Sequence, residues 1–276
     1  MNSALRKIGY RLALTIEQRV WPAVAPAVRK LTTPERAAGP GSISIVTVAF
    51  NSLDYLRILV ATLAAYPDHR VIEVIVVDNG SRDGTRQWLR RQEQLRHVAL
   101  PINIMHGPAL DLGCLLARGE TLVVIDVDAF PINPNWINRV IAPLNDPNIA
   151  LSGGRFEFLG IVFPHPCIAA MRADRFREMR HSWAPIRRHN QLLLDTGCAI
   201  AQREWGHFHL LEVTAVRGEG FVGTVFSDAV FHLFYGTRAR RSANAELRRV
   251  AEAAERVYRD AVLEYHPALE RLLPTE

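Results

Sequence analysis

The chain has 276 residues, a mass of 31.0 kDa, 49% hydrophobic and 22% charged residues, and a mean hydropathy of +0.01. That composition is globular and excludes a disordered, collagen-like or disulfide-stapled chain; no apolar run approaches the roughly 20 residues that span a bilayer. The formal charge of +5 lies wholly in residues 1–41, with seven bases and two acids, while the other 26 bases and 26 acids balance, so the body lacks the basic stripe of a nucleic-acid binder.

Residues 3–31 predict an amphipathic helix, with Leu5, Ile8, Leu12, Ile16 and Val20 three or four apart and arginines between them. Trp21-Pro22 and Pro26 predict a break or kink. Glu17, Gln18 and Arg19 interrupt the apolar stretch, so no signal peptide is expected. Two placements are open: on an anionic membrane surface through the basic face, or packed on the body or a second subunit. Pro34 and Gly39-Pro40-Gly41 mark a linker.

From Ser42 the pattern alternates. Ile43 to Ala49 reads as a strand, Asp54 to Ala65 as a helix, and Val71 to Val77 as a buried strand. Arg82 to Arg96 predicts a helix, Ile102 to Met105 a short strand, Ala109 to Ala117 a helix and Thr121 to Ile125 another buried strand. Asn133-Pro134 predicts the start of a helix through Leu144. This alternation implies an α/β fold with a mainly parallel sheet and helices on both faces. After Ile149 the pattern loosens. Phe221 to Phe234 reads as strand or loop, and Asn244 to Glu264 as a helix whose apolar face needs cover, by the body or in a homodimer. The three cysteines, Cys114, Cys167 and Cys198, form no C-x-x-C pair and read as buried reduced thiols of a cytoplasmic protein. Of the 33 bases, 31 are arginine, a composition that fits a GC-rich bacterial genome.

Open parallel sheets bind ligands at the carboxyl ends of their strands. Three strong strands end in Phe50-Asn51-Ser52, Asp78-Asn79-Gly80-Ser81 and Asp126-Val127-Asp128. These clusters should meet at one crevice. Paired carboxylates there repel one another and lose solvation, and a divalent cation such as Mn²⁺ or Mg²⁺ relieves both costs. Asp78 could accept from the N–H edge of a nucleobase.

Ser44 to Asn51, Val74 to Thr85 and Val123 to Asp128 together resemble the signatures of family 2-type glycosyltransferases with the GT-A fold. The resemblance covers about residues 43–136. It implies an N-terminal helical extension over 1–41, a catalytic domain over 42–238 and a helical extension over 239–276. Residues 42–136 would bind the nucleotide sugar, and 137–238 the acceptor. Ala49, Phe50 and Asn51 would line the nucleotide pocket, and Asp78, with Asn79 and Ser81, would hold the base. Asp111 and Gly113 would face the donor, although His106-Gly-Pro-Ala-Leu-Asp-Leu-Gly113 departs from the family's Asn-rich pattern. Asp126 and Val127 would face the ribose or sugar, Asp128 would bind the metal with Asp126, and His232 would add a ligand. Arg238 would neutralise the leaving diphosphate. Asp195 would be the catalytic base of an inverting enzyme, while a retaining enzyme would not need it. Trp183, Trp205, Phe156 and Phe158 could stack on acceptor sugars. The implied reaction moves a hexose, mannose or glucose, from a GDP- or UDP-sugar to a hydroxyl of a glycan or glycolipid, at the inner face of the membrane if the basic helix touches it. A nucleotidyltransferase would need a basic, Gly-rich loop after the first strand, and Ala49 to Asp54 has none. A non-catalytic scaffold would not need the Asp126/Asp128 pair.

Overall fold

β-Branched, apolar runs with polar ends build the centre of the molecule. The computed structural model describes residues 10–32, 38–158, 160–188, 191–218, 222–234 and 245–274. Seven strands form the main sheet: β1 (Ile43–Ala49), β2 (Val71–Asp78), β3 (Arg96–Ala99), β4 (Thr121–Ile125), β6 (Leu151–Phe158), β7 (Ile161–Arg172) and β10 (Phe208–Leu211), in the order β10-β6-β7-β4-β1-β2-β3. All run the same way except β7, which is antiparallel to both β4 and β6. A second, antiparallel sheet joins β5 (Ala129–Pro131), β13 (Val230–Leu233), β12 (Gly223–Phe226) and β11 (Val213–Arg217). β8 (Ile186–Arg188) and β9 (Gln191–Leu194) pair as a separate hairpin.

β1 is buried along its whole length, as a strand covered on both faces must be. Val46 and Val48 share one core with Ala109, Leu110 and Cys114, while Ile43 and Ile45 share the opposite one with Leu59, Trp136 and Val140. The helices that supply those cores flank the sheet. α1 (Trp21–Thr32) precedes it. α2 (Leu53–Ala65), α3 (Thr85–Leu89), α4 (His106–Leu116), α5 (Trp136–Ile141), α6 (Ala173–Glu178) and α7 (Cys198–Arg203) alternate with its strands, and α8 (Ala245–Tyr265) follows. The apolar face of α8 is covered by its own chain: Ala254, Tyr258, Ala261 and Val262 are buried, and the Tyr258 ring meets Tyr55 and Phe130 edge-on. The His266 imidazole, 2.6 Å from the Pro131 carbonyl, ties the end of this helix to β5.

Four expectations change. Residues 10–32 are helical throughout, without the expected break. Pro22 cannot donate to a carbonyl one turn back, and the preceding turn, Ile16–Val20, widens into a π-helix closed by the Trp21 N–H on the Ile16 carbonyl. The helix expected over Arg82 to Arg96 shrinks to α3, starting after Gly84 at φ +97. The following strand is β3, because the 102–105 segment ends in Met105 at φ +74 and cannot continue a strand. The helix expected from Asn133-Pro134 begins at Trp136, and Asn133 instead accepts the Asn135 N–H.

Of the two placements open for the N-terminal helix, packing on the body is realised. Trp21 Nε1 donates to Asp111 Oδ2 at 2.7 Å, the Arg29 guanidinium lies 5.4 Å over the Phe176 ring and donates to the His181 carbonyl, and Ala13, Leu14 and Ala25 are buried.

Candidate active site

Parallel pairing brings the ends of β1 and β2 level. Ala49 is in register with Asp78, and the Asn79 N–H donates to the Ala49 carbonyl at 2.8 Å. The two following loops then lock together. The Asn51 N–H donates to Ser81 Oγ at 2.9 Å and the Arg82 N–H to Asn51 Oδ1 at 2.5 Å, with Asn51 at φ +48. The Asp78 carboxylate is wholly buried. It accepts the Ser81 N–H at 2.9 Å and Arg86 Nε at 2.8 Å. Both its oxygens are therefore engaged within the chain, and Asp78 braces the loop.

Asn79 reaches the next loop. Its amide donates to the Met105 carbonyl at 3.1 Å and to Asn103 Oδ1 at 3.3 Å, and accepts the Ile104 N–H at 2.9 Å. The loop crosses Gly80 so closely that a Cβ there would meet the Ile102 carbonyl carbon at 2.7 Å. These bonds hold Met105 at its unusual φ and present His106, the first residue of α4, to the crevice. Asn79→Ala should cost about 2 kcal/mol for the orphaned partners. Urea unfolding checks this, and an unchanged midpoint would contradict the bracing role.

The acidic triplet sits in a tight turn. The Asp126 N–H donates to the Cys167 carbonyl of β7 at 2.9 Å, and the Ala129 N–H closes the turn on the Asp126 carbonyl at 3.0 Å. β13 pairs with β5 so that His232 is in register with Ala129, and the Leu233 N–H donates to the Asp128 carbonyl at 3.1 Å. The strand register thus carries His232 to both carboxylates. Its Nε2 lies 3.4 Å from Asp126 Oδ2 and 3.6 Å from Asp128 Oδ1, and one ligand atom from each of the three residues lies within 4.8 Å of the others. The Val127 side chain turns away into the apolar cluster of Phe130, Phe231 and Tyr258, so the expected donor contact is not made by that side chain.

On the other side His106 Nε2 stands 3.1 Å from Asp126 Oδ1. Burial works against the Asp126 charge, but His106 and His232 outweigh it and hold the carboxyl well below its usual range. Burial likewise works against the His232 charge, and Asp126 and Asp128 overcome it to raise the imidazole to about 9. Two carboxylates and one imidazole whose ligand atoms lie within 4.8 Å of one another suit Mn²⁺ or Mg²⁺.

Asp195 lies in the turn before α7. Its Oδ1 accepts the Thr196 N–H at 2.7 Å, and its carbonyl accepts the Cys198 N–H at 3.1 Å. That turn rests on β7, because a Cβ on Gly197 would meet Pro166 Cδ at 3.0 Å. His165, between Pro164 and Pro166, feels the charges of both Asp126 and Asp195. Burial dominates and lowers its pKa to about 4, so it is neutral at pH 7. Its Nδ1 accepts the Cys167 N–H at 3.1 Å, which leaves the proton on Nε2. The rings of Phe156 and Phe234 stack with centroids 5.4 Å apart, and the His165 ring lies 4.8 Å from Phe156. Of the aromatic residues expected to meet an acceptor, Trp183 is enclosed beside Phe176 and unavailable, whereas Phe156 belongs to this half-buried platform.

Asp111 and Gly113 do not face the crevice. Asp111 is fully buried on α4, accepting from Trp21, from Ser182 Oγ and from the Trp183 N–H at 2.7 Å. Gly113 lets α4 approach the sheet, since a Cβ would lie 2.4 Å from Val46 Cγ1. Arg238 lies outside the described residues. Sequence reasoning gave no role to His106 or His165. The signal for His106 was the departure from the Asn-rich pattern at the start of α4.

Strands ending at one crevice with a paired acidic turn define an α/β protein of the GT-A fold. Residues 44–200 match the family described as Glycosyl transferase family 2, and the chain belongs to that family. It is 30% identical over 145 residues to glycosyltransferase AglE of Haloferax volcanii, covering 50% of this chain and 46% of that one. It is 28% identical over 118 residues to glucosyl-3-phosphoglycerate synthase of Mycolicibacterium paratuberculosis, covering 40% and 35%. The chain thus spans less than half the length of these curated relatives. Among solved structures, the mannosyltransferase PcManGT of Pyrobaculum calidifontis, in complex with GDP-Man and Mn²⁺, is 15% identical with a TM-score of 0.49, over 97% of this chain and 86% of that one.

Proposed function

We propose that the protein is a metal-dependent glycosyltransferase. It moves a hexose, mannose or glucose, from a nucleoside-diphosphate sugar to a hydroxyl of a glycan or glycolipid. The observation that carries this reading is the convergence of Asp126, Asp128 and His232 at the carboxyl edge of the sheet, beside the Ala49–Asn51 and Asp78–Ser81 loops. Family membership and the names of relatives such as glucosyl-3-phosphoglycerate synthase support it.

In this reading the Ala49–Asn51 and Asp78–Ser81 loops form the nucleotide cradle. Asp126, Asp128 and His232 hold Mn²⁺ or Mg²⁺, which supplies Lewis-acid stabilisation of the leaving diphosphate. His106 fixes the orientation of Asp126, and His165 offers its Nε2 proton to a substrate oxygen. Asp195 takes the proton of the acceptor hydroxyl. That oxygen bonds to the anomeric carbon as the bond to phosphate breaks, and the nucleoside diphosphate leaves. The product has inverted configuration.

Nucleotide release from GDP-mannose and UDP-glucose with Mn²⁺ and a glycolipid acceptor tests the assignment. Asp195→Asn should keep metal-dependent donor binding and lose transfer by about 100-fold or more. Full transfer by this variant would remove Asp195 as the base.

Metal affinity should also depend on pH. His232, raised to about 9, is protonated at neutral pH without metal and must shed that proton to coordinate. Affinity for Mn²⁺ should therefore rise about tenfold per pH unit through neutrality and level off near pH 9. Calorimetry in two buffers of different ionisation heat would count the proton released. A pH-independent affinity would show that His232 is not a ligand.

A further inference from the structure

We propose that the outward face of the N-terminal helix is a docking surface for an anionic lipid bilayer, placing the catalytic crevice at the membrane. The helix is fixed to the body by its inner face, through Trp21, Ala25 and Arg29. Its outer face carries apolar side chains: Leu12, Val20, Val24 and Leu31 are 50%, 43%, 40% and 84% exposed. These four are more than a third of the eleven large hydrophobic side chains exposed among the described residues, a concentration that scattered surface hydrophobics do not show. Between Val20 and Ala27 the sequence carries no charge.

Charge selects the occupant. The exposed ionic side chains of residues 10–32 are Arg11, Arg19 and Lys30, all cations, whereas the acid Glu17 is buried at 3% exposure. The surface continues into the turn after α6. There Met179 is 40% exposed, and the exposed Arg203 donates to the carbonyls of Met179 and Arg180. Arg180 adds a further cation beside the one acid of that turn, Glu178. An apolar strip with cations at its edges matches an interfacial helix on an anionic leaflet. No described helix is long and apolar enough to cross a membrane.

The direction of the helix gives this surface a use. Trp21 meets Asp111 in the middle of α4, while Arg29, two turns further on, lies over Phe176, whose neighbour Arg177 donates to the Ala117 carbonyl at the end of α4. The N-terminal helix therefore runs alongside α4 in the same sense. Residues 10–20 extend about 16 Å beyond Trp21, toward the end where His106 meets Asp126. A bilayer on the outer face would lie beside the crevice, within reach of an acceptor whose sugar is carried on a lipid.

The test uses the full chain and vesicle co-sedimentation. Vesicles of phosphatidylcholine with about one-third phosphatidylglycerol are compared with phosphatidylcholine alone. The wild-type chain should pellet with the anionic vesicles, stay largely in solution with the neutral ones, and be partly released by salt. Val24→Asp with Leu31→Asp changes only the outer face. It should weaken vesicle binding by about tenfold or more and leave thermal stability and Mn²⁺ binding as in wild type. A wild-type chain that ignores anionic vesicles, or a double variant that binds them equally well, overturns the proposal. So does a dimer in light scattering that the double variant converts to monomer without any vesicle binding, since the face would then join two copies of the chain. None of these readouts depends on sugar transfer.

Discussion

Asp128→Asn should lower Mn²⁺ affinity by about 100-fold or more and take metal-dependent donor binding with it. The expectation follows from how the turn is built. The backbone of Asp128 bonds to Leu233, so the strand pairing survives the substitution, while the side chain serves only the site. Without metal the variant loses the pairing of Asp128 with the His232 imidazolium and also its repulsion with Asp126; the two offset, so it should unfold within about 1 kcal/mol of wild type. The chain is thus disarmed without being unfolded. Electron paramagnetic resonance of bound Mn²⁺ reads the affinity, and urea unfolding reads the stability. A variant that binds Mn²⁺ as tightly as wild type would show that the carboxylates do not hold the ion.

Asp111→Ala should destabilise the protein by about 3 kcal/mol at neutral pH. The Asp111 carboxylate is the one acceptor for Trp21 Nε1, Ser182 Oγ and the Trp183 N–H, and its removal leaves three donors facing an apolar core. Asp111→Asn should not restore the stability: either amide orientation sets an N–H against the Trp21 ring or against the Trp183 backbone. Burial lifts the Asp111 pKa to about 6, against the pull of its three donors and Arg29. The sign then follows. A carboxyl whose folded pKa is above its unfolded value near 3.8 stabilises most at low pH, and that contribution is lost as pH rises from about 4 to 6. Wild-type stability should decline across that window, and the Ala variant should lack this component. Urea unfolding at pH 4, 6 and 7 separates the two. An unchanged midpoint at neutral pH would mean that the N-terminal helix docks without this carboxylate.

The parallel half of the fold was legible because its strands are buried on both faces. Ile43 to Ala49, Val71 to Asp78 and Thr121 to Ile125 are largely apolar, β-branched runs followed by polar residues, and such runs have few alternatives to a covered parallel sheet. Asp126 and Asp128 were legible for the same reason, since a strand end fixes where they emerge. His232 was visible only through resemblance, because its place depends on β13 pairing with β5 across about 100 residues of chain. Asp111 was misread because its motif position suggested the crevice, while the helical face that decides its partners is set by the docked N-terminal helix. The break expected at Trp21-Pro22 is not made, because the helix runs on through a π-turn. His106 needed Asn79, Asn103 and the positive φ of Met105 to bring it to Asp126. No local period encodes that set of tertiary bonds.

Thermal unfolding with a panel of nucleotide sugars, each with Mn²⁺, Mg²⁺ or chelator, tests the central claim most directly. The panel holds GDP-mannose, UDP-glucose, UDP-galactose, UDP-N-acetylglucosamine and dTDP-rhamnose. One nucleotide should stabilise the protein by roughly 2.7 kcal/mol at about 100 times its dissociation constant, and only with the metal present. No stabilisation by any of them, with or without metal, would contradict a metal-dependent nucleotide-sugar site at Asp126, Asp128 and His232.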